Sequence, residues 1–586
     1  MILPIELGRD LATGERVFVP PRVWDTHLHC LGATGTGKTT AMALLLFQLM
    51  LDSSAPRSFF IIDPIGGLAN LILRFVANRK FCTQAIRDRF VYYEPAYENY
   101  STILHPLHFE GRVNQDYQIA RGMEITLRGF DSDDIEKMPR LRTWSYKSLY
   151  TLSEQNLPLS MSKFLLTPGT PEHKALFSRL PRHLQLEWQE IMSARGGEAV
   201  RILESTRNRM GLFSDNILLA RLFSGTCNLF DVPRFIQDRK IVLVNLTPGK
   251  SKVPFHVADT IGALLINEIF NHGLTLFYEQ QQPVDTFLFL DEFQRVLGSD
   301  IYDFLPIVRN MGIHMVLGHQ SFAQLQKGEI DLTPMIGQAR SRLIFANDLE
   351  DAELIAAELA SLTWNPMQIK HQLDTLHQRV VDHRTAILNS GGSTATETGS
   401  WTHQDSRGRG KAERSIYGRP IDAVTTSDQV ASSDVKGGSR ASAEQSGWHE
   451  SLVPIYEDYY EPSRIDFWTK DEETHTWGQK VRGLTKGQTI AKFVEDAQLR
   501  KIQVGYLPLE NSSVVRDAVE QLKEQNYQQD CFLTATEADR RLEELRQQLL
   551  QGPVVSAGTA RLSPGEGATP GTDAAAARTT EDPFRT

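Results

Sequence analysis

Apolar residues in the first hundred positions gather into short unbroken runs rather than alternating with polar ones, a pattern that predicts strands buried on both faces. These runs are 28–31, Ser58-Phe59-Phe60-Ile61-Ile62-Asp63 and Phe90-Val91-Tyr92-Tyr93, the last two stopping at Pro64 and near Pro95. Helical stretches separate them, so the sheet is expected to be parallel. Residues 1–26 read as a β-rich lead-in around the turn Leu11-Ala12-Thr13-Gly14. Between 112 and 234 the period lengthens to that of helices, broken only at Pro158, Thr167-Pro168-Gly169-Thr170-Pro171 and Gly196-Gly197. Strand-type runs resume at 240–246, 286–291, 314–318 and 342–345. The pattern therefore predicts an α/β core with a mainly parallel sheet, interrupted by an all-α insertion.

Past Leu388 the chain turns to Gly, Ser and Thr, and periodicity fades. Seven divisions follow. They are the lead-in (1–26), the first part of a nucleotide-binding domain (27–111), the insertion (112–234) and the second part of that domain (235–388). A disordered linker (389–447), a small C-terminal α+β region (448–551) and a disordered tail (552–586) complete the chain. In the C-terminal region, residues 514–527 form an amphipathic helix, and Thr534-Ala535-Thr536-Glu537 is a capping box. The basic stretch Arg407-Gly408-Arg409-Gly410-Lys411 reads as solvated linker ahead of nucleic-acid contact.

Composition narrows the class. The chain has 586 residues, 41% of them hydrophobic and 23% charged, which is a soluble globular balance. Its formal charge of −10 argues against a uniformly basic nucleic-acid coat, though not against a local basic pore. Four scattered cysteines support neither a disulfide framework nor a zinc ribbon, and the pairs His27/His29 and His105/His108 read as fold residues. No apolar run reaches the roughly 18 residues of a membrane span. The run at 41–51 follows a glycine loop and reads as a buried helix. No signal peptide is visible, so a cytoplasmic location is expected, peripheral at the inner membrane only through a partner.

Chemistry concentrates in three places. Gly32-Ala33-Thr34-Gly35-Thr36-Gly37-Lys38-Thr39, continued by Thr40, has the phosphate-loop spacing with a strand before and a helix after. Its backbone amides and helix N-terminus suit phosphate oxygens. Lys38 would reach the β- and γ-phosphates, and the Thr39 hydroxyl would hold Mg²⁺. Thr286-Phe287-Leu288-Phe289-Leu290-Asp291-Glu292 is an apolar strand ending in paired acids: Asp291 for Mg²⁺, Glu292 as general base on the attacking water. Gln320, just past the strand 314–318, stands where a γ-phosphate sensor would. Arg309 is either a finger for a neighbouring copy's nucleotide or a surface arginine, with Arg340 and Arg342 competing for that role. Asp63 either takes part in the site or caps the next helix. On this reading Lys38→Ala abolishes nucleotide use and leaves the fold intact.

Together these motifs resemble the HerA-FtsK superfamily of P-loop ATPases, and within it the TraG/TraD-type coupling proteins of type IV secretion and conjugation. The resemblance rests on residues 27–39, Ile61-Ile62-Asp63-Pro64, Leu290-Asp291-Glu292-Phe293, Arg309-Asn310-Met311-Gly312-Ile313 and His319-Gln320-Ser321-Phe322-Ala323-Gln324-Leu325. It spans roughly 1–388, the insertion matching in position more than in wording. It implies a RecA-like core, ATP and Mg²⁺, a homo-hexameric ring, DNA in the pore and a membrane secretion channel or other protein as partner. Two departures stand out: the transmembrane helices of anchored coupling proteins are missing, and Asp63-Pro64-Ile65-Gly66 replaces the usual Asp-Pro-Lys-Gly. The leading expectation is an ATP-hydrolysing motor that translocates or recruits DNA. The alternative is a soluble HerA-like ATPase acting on or with a protein, in secretion or defence.

Overall fold

The computed structural model describes residues 4–54, 56–107, 115–128, 138–195, 197–248, 253–298, 305–327, 330–393, 414–416, 419–421, 444–494, 496 and 498–551. Strands are numbered in chain order: β1 (Ile5–Asp10), β2 (Arg16–Val19), β3 (Leu28–Leu31), β4 (Ser58–Asp63), β5 (Phe90–Tyr93) and β6 (Tyr100–Ser101). The series continues with β7 (Ile241–Asn245), β8 (Thr286–Asp291), β9 (Ile313–His319), β10 (Gln326–Lys327), β11 (Ile330–Asp331) and β12 (Ser341–Ile344). It ends with β13 (Ile369–Ser393), β14 (Arg414–Ile416), β15 (Arg419–Ile421), β16 (Glu444–Phe467), β17 (Gln488–Lys492), β18 (Arg500–Val504) and β19 (Leu533–Thr534).

One 11-stranded sheet runs β2-β1-β18-β17-β12-β3-β9-β8-β4-β7-β5. From β12 to β5 every pairing is parallel. From β12 back to β2 every pairing is antiparallel. The parallel strands β3, β4, β5, β7, β8 and β9 are buried at every position, which is why their sequences are solid apolar runs. The run at 41–51 lies in the helix Lys38–Leu51, nine of whose residues are buried. Phe47 of that helix stacks on Phe75 of the helix Gly67–Ala77, ring centroids 4.1 Å apart.

Between β6 and β7 the described chain is helical, from Gln115–Arg128 to Val232–Gln237. It has its own aromatic filling, with Trp144 against Trp188 and Phe213 against Phe223. The chain leaves and re-enters the sheet at adjoining points, where Leu104 N–H donates to the Leu222 carbonyl at 2.9 Å and Phe230 N–H to the Ile103 carbonyl at 3.1 Å.

The segment expected as a small C-terminal α+β region does not stand apart. Its strands β17 and β18 join the large sheet, β18 pairing with β1. The helix Ser513–Asn526 then closes the far edge at β5. Asn526 imitates a neighbouring strand there: its amide donates to the Tyr92 carbonyl at 2.6 Å and accepts from the Tyr92 N–H at 2.7 Å. A covered edge cannot template pairing with another chain. The last helix, Ala535–Gln551, has Thr534 as its cap, accepting from Glu537 N–H at 3.3 Å. It is tied to the insertion by the two-pronged pair Arg221–Asp539, both contacts 2.7 Å.

Residues Trp364–Lys470 form a second compact unit. Its body is a two-stranded antiparallel ribbon of β13 and β16, with β14 and β15 as a short ladder of their own. Of the stretch expected to be linker, 389–393 and 444–447 thus lie in long strands. The rest of it, β14 and β15 excepted, falls outside the described residues, as does the tail 552–586. No helix among the described residues is long and apolar enough to cross a membrane.

Candidate active site

Ligands of open parallel sheets gather at the carboxyl ends of the strands. Here the strands β3, β9 and β8 lie side by side and end in Leu31, His319 and Asp291. The sequence continues into the glycine loop after β3, into Gln320 after β9 and into Glu292 after β8. Three motifs separated by up to 288 positions, from Gly32 to Gln320, thus meet on neighbouring strand ends.

The loop's shape follows from its glycines. Gly37 sits at φ 114, where any other residue is strained, and a Cβ on it would lie 3.1 Å from the Gly487 backbone. A Cβ on Gly32 would come within 2.6 Å of the Phe345 side chain. Thr34 and Gly35 at the loop tip are exposed, while Lys38 is buried. Below the tip starts the helix Lys38–Leu51, presenting its N-terminus to the loop. Thr40 lies in the first turn of that helix.

Lys38 reaches across to the paired acids. Its Nζ is 2.7 Å from Glu292 Oε1 and 3.2 Å from Asp291 Oδ1, all three side chains about 5–6% exposed. The Thr39 hydroxyl donates to Asp291 Oδ2 at 2.8 Å. Gln320 donates to Glu292 Oε1 at 2.8 Å and accepts from the Thr34 hydroxyl at 2.9 Å. Two further glutamines complete the ring. Gln294 donates to Glu292 Oε2 at 2.9 Å and to Gln324 Oε1 at 3.0 Å. Both of these were missed as site residues, although Gln324 lies in a quoted motif. Nothing local marks Gln294 beyond its place two residues after Glu292. Glu292 itself adopts φ 54, ψ 49, the left-handed region that non-glycine residues avoid and that clusters at functional sites.

Beneath the site lies a histidine pair, of which the sequence marked His29 as an ordinary fold residue and His319 only as the first residue of a quoted motif. His29 of β3 stacks on His319 of β9, with Nε2 of the first 2.8 Å from Nδ1 of the second. Burial, aided by the nearby His319, Arg342 and Lys38, holds His29 well below the usual imidazole range. Burial, with Lys38 and Arg342 adding to it, pushes His319 down to about 3. Both rings are neutral wedges between the loop strand and the sensor strand.

Of the other expected positions, Asp63 ends the strand next to that of Asp291 but has a different task, and Arg309 lies elsewhere. Asp63 serves backbone amides with both oxygens, accepting from Ile65, Gly66 and Ala69 at 2.9, 2.7 and 2.7 Å. That is helix capping, the second of its two readings, and burial raises its pKa. Arg309 precedes β9 and so stands at the opposite end of that strand from Gln320, about 20 Å away at the rise of an extended chain. It is exposed, with Asp25 3.5 Å from its guanidinium. Arg342 is engaged by Glu358 and by the Ile336 carbonyl, and Arg340 is exposed. Three cysteines, Cys30, Cys82 and Cys531, are buried and Cys227 is exposed; no group of metal-binding side chains occurs among the described residues.

Residues 184–368 match the family described as the type IV secretion-system coupling protein DNA-binding domain, so over that span the chain resembles the TraG/TraD-type coupling proteins. Among solved structures, it is similar to a bacterial conjugative coupling protein, TrwBdeltaN70 in an unbound monoclinic form. The likeness is at 14% identity and TM-score 0.45, over 87% of this chain and 91% of that one. A second is the plasmid coupling protein TrwB in complex with ADP and Mg²⁺, at 14% identity and TM-score 0.46, over 85% and 89%. No curated protein matches significantly. The fold assignment therefore rests on the strand order, and the chemistry on the distances above.

Proposed function

We propose, taking as premise that residues 184–368 match the coupling-protein DNA-binding family, that this chain is an ATP-hydrolysing motor that translocates or recruits DNA as a ring of identical copies. One observation carries the chemistry: Lys38, Asp291, Glu292 and Gln320 converge on adjacent strand ends within hydrogen-bonding distance. A kinase or a slow switch needs no carboxylate beside the metal-binding acid, whereas a hydrolase uses one to activate water.

The residues fit nucleotide and metal. Thr39 Oγ1 and Asp291 are hard oxygen donors on one side of the loop, the donor type Mg²⁺ prefers. When bound, ATP supplies the phosphoryl group and Mg²⁺ neutralises charge on its oxygens. Lys38 transfers its charge from the two carboxylates to the phosphates. Glu292 is then free to accept a proton from water, oriented by Gln320 and Gln294. Gln320, bonded both to Glu292 and to Thr34 of the loop, is placed to report the state of the terminal phosphate. Arg309 is too far from its own chain's site to act there, so any catalytic part it has is played on a neighbouring copy, in a hexamer by the resemblance. A membrane channel is the partner such a motor would serve, reached from the cytoplasmic side.

DNA-stimulated ATP hydrolysis tests the reading. Turnover is expected to rise with single- or double-stranded DNA and to vanish in Glu292→Gln; a rate indifferent to both forms of DNA would overturn the DNA assignment while leaving the ATPase. Ile65 favours a second reading, in which protein is the cargo. It is 53% exposed and apolar where the resemblance expects lysine. Recovery of the native complex with DNA and no other protein would dispose of that alternative.

A further inference from the structure

Strands β13 and β16, of 25 and 24 residues, build a ribbon about 80 Å long at the usual strand rise. Among the described residues each pairs only with the other, and neither outer edge has a partner strand there. A lone two-stranded ribbon is marginal in water, and long bare edges invite pairing with another chain. Among the described side chains, 369–385 and 452–467, none is buried. The register places Leu376 opposite Tyr460 and Val380 opposite Tyr456, a stripe on one face whose members are 43%, 71%, 47% and 55% exposed. The other face carries His377 opposite Tyr459 and the pair Arg379–Glu457, at 2.8 Å.

The two edges differ in charge. Strand β13 holds three Lys or Arg against two Asp, with three His besides; β16 holds six Asp or Glu against a single Arg. Pairing β16 with another β16 would set like charges opposite one another, which is destabilising, whereas β13 beside a second copy's β16 sets unlike charges together. That contact is head-to-tail, the kind that closes rings, and it preserves antiparallel alternation from copy to copy.

We propose that the ribbons of neighbouring copies pair β13 to β16, closing into a β-barrel to which every copy gives two strands. Closure removes all edges and gives the apolar stripe a common side on which to pack. A ring of six copies would make a barrel of about twelve strands, wider than the side-chain-filled eight-stranded kind. The assembly does not rest on the chemistry of the nucleotide site and would form equally in a chain that hydrolyses nothing.

Cysteine crosslinking in the full-length chain tests this, in a Cys227→Ser background that leaves only buried thiols. One preparation carries Thr375→Cys, His377→Cys or Arg379→Cys; a second carries Glu457→Cys, Tyr459→Cys or Glu461→Cys. Mixed chains treated with a short bifunctional maleimide are expected to give β13-to-β16 products peaking at one register, with same-strand products lost. A chain carrying Thr375→Cys with Glu457→Cys, which do not face one another within the chain, should yield a ladder ending at the ring size. Same-strand products in excess, no interchain product at any position, or a chain that stays monomeric would each overturn the proposal. Glu292→Gln must give the same crosslinks, which separates failure of the barrel from failure of the ATPase reading.

Discussion

Lys38 lies between two acids, so removing it does more than delete a phosphate ligand. In Lys38→Ala, Asp291 and Glu292 are left facing one another, buried and without their cation. Breaking a buried pair from one side costs about 3–5 kcal/mol. We expect loss of nucleotide turnover together with a lower thermal midpoint, a cost in stability that adds to the expectation of an intact fold. Glu292→Gln loses turnover too, but keeps one oxygen that accepts from Lys38 and Gln320 and gives up only the bond from Gln294, so it shifts the midpoint less; calorimetry of both variants without nucleotide checks the contrast. The histidines give a second expectation. His319 is held down to about 3 and His27, by burial and the neighbouring His314, to about 4, while the unfolded chain takes up their protons near 6.5. The unfolded state binds more protons in that window, so stability is full above pH 6.5 and falls as pH drops toward 3. Each group contributes a slope of at most about 1.4 kcal/mol per pH unit. In His319→Asn the difference between urea midpoints at pH 7 and pH 5 is expected to shrink. Lys38, Thr39, Asp291 and Glu292 were legible because phosphate loops and acid-ended apolar strands are local patterns. Gln294 and the His29–His319 stack were not, because their meaning arises only when β3, β8 and β9 lie side by side.

Gly487 enters the site from a distant part of the chain. Its N–H donates to the Thr36 carbonyl at 2.8 Å, so the turn leading into β17 braces the phosphate loop from outside. At φ 78 any other residue costs about 1–2 kcal/mol. Gly487→Val is therefore expected to weaken nucleotide binding about tenfold, measured by titration calorimetry, with β17 and β18 still formed. Strands β3, β4, β5, β7, β8 and β9 could be read from sequence because burial on both faces writes them as solid apolar runs. The brace could not, since a glycine before a short strand says nothing of the loop it will touch. The long ribbon was hidden for the opposite reason: with both faces in solvent, β13 carries polar and apolar residues in no strong order, and its far end passed for linker. Asn526 likewise gives no local sign that it will complete the edge of β5.

Arg309 and Gln320 occupy opposite ends of β9, so one copy cannot bring both to the same nucleotide. If Arg309 serves the neighbouring site, Arg309→Ala and Glu292→Gln are each inactive alone, yet a mixture restores part of the turnover. Some junctions in mixed rings combine an intact Glu292 with an intact Arg309, and a mixture as dead as its components would assign Arg309 to the surface. The weaving of the sheet has a further consequence. Gly8 pairs with Val504, and the phosphate loop leans on Gly487, so the first strands made wait for nearly the last ones. A nascent chain still on the ribosome holds the loop sequence early but lacks its brace until the C-terminal third emerges. The phosphate loop is thereby left without its brace until the turn at Gly487 has been made and has folded back.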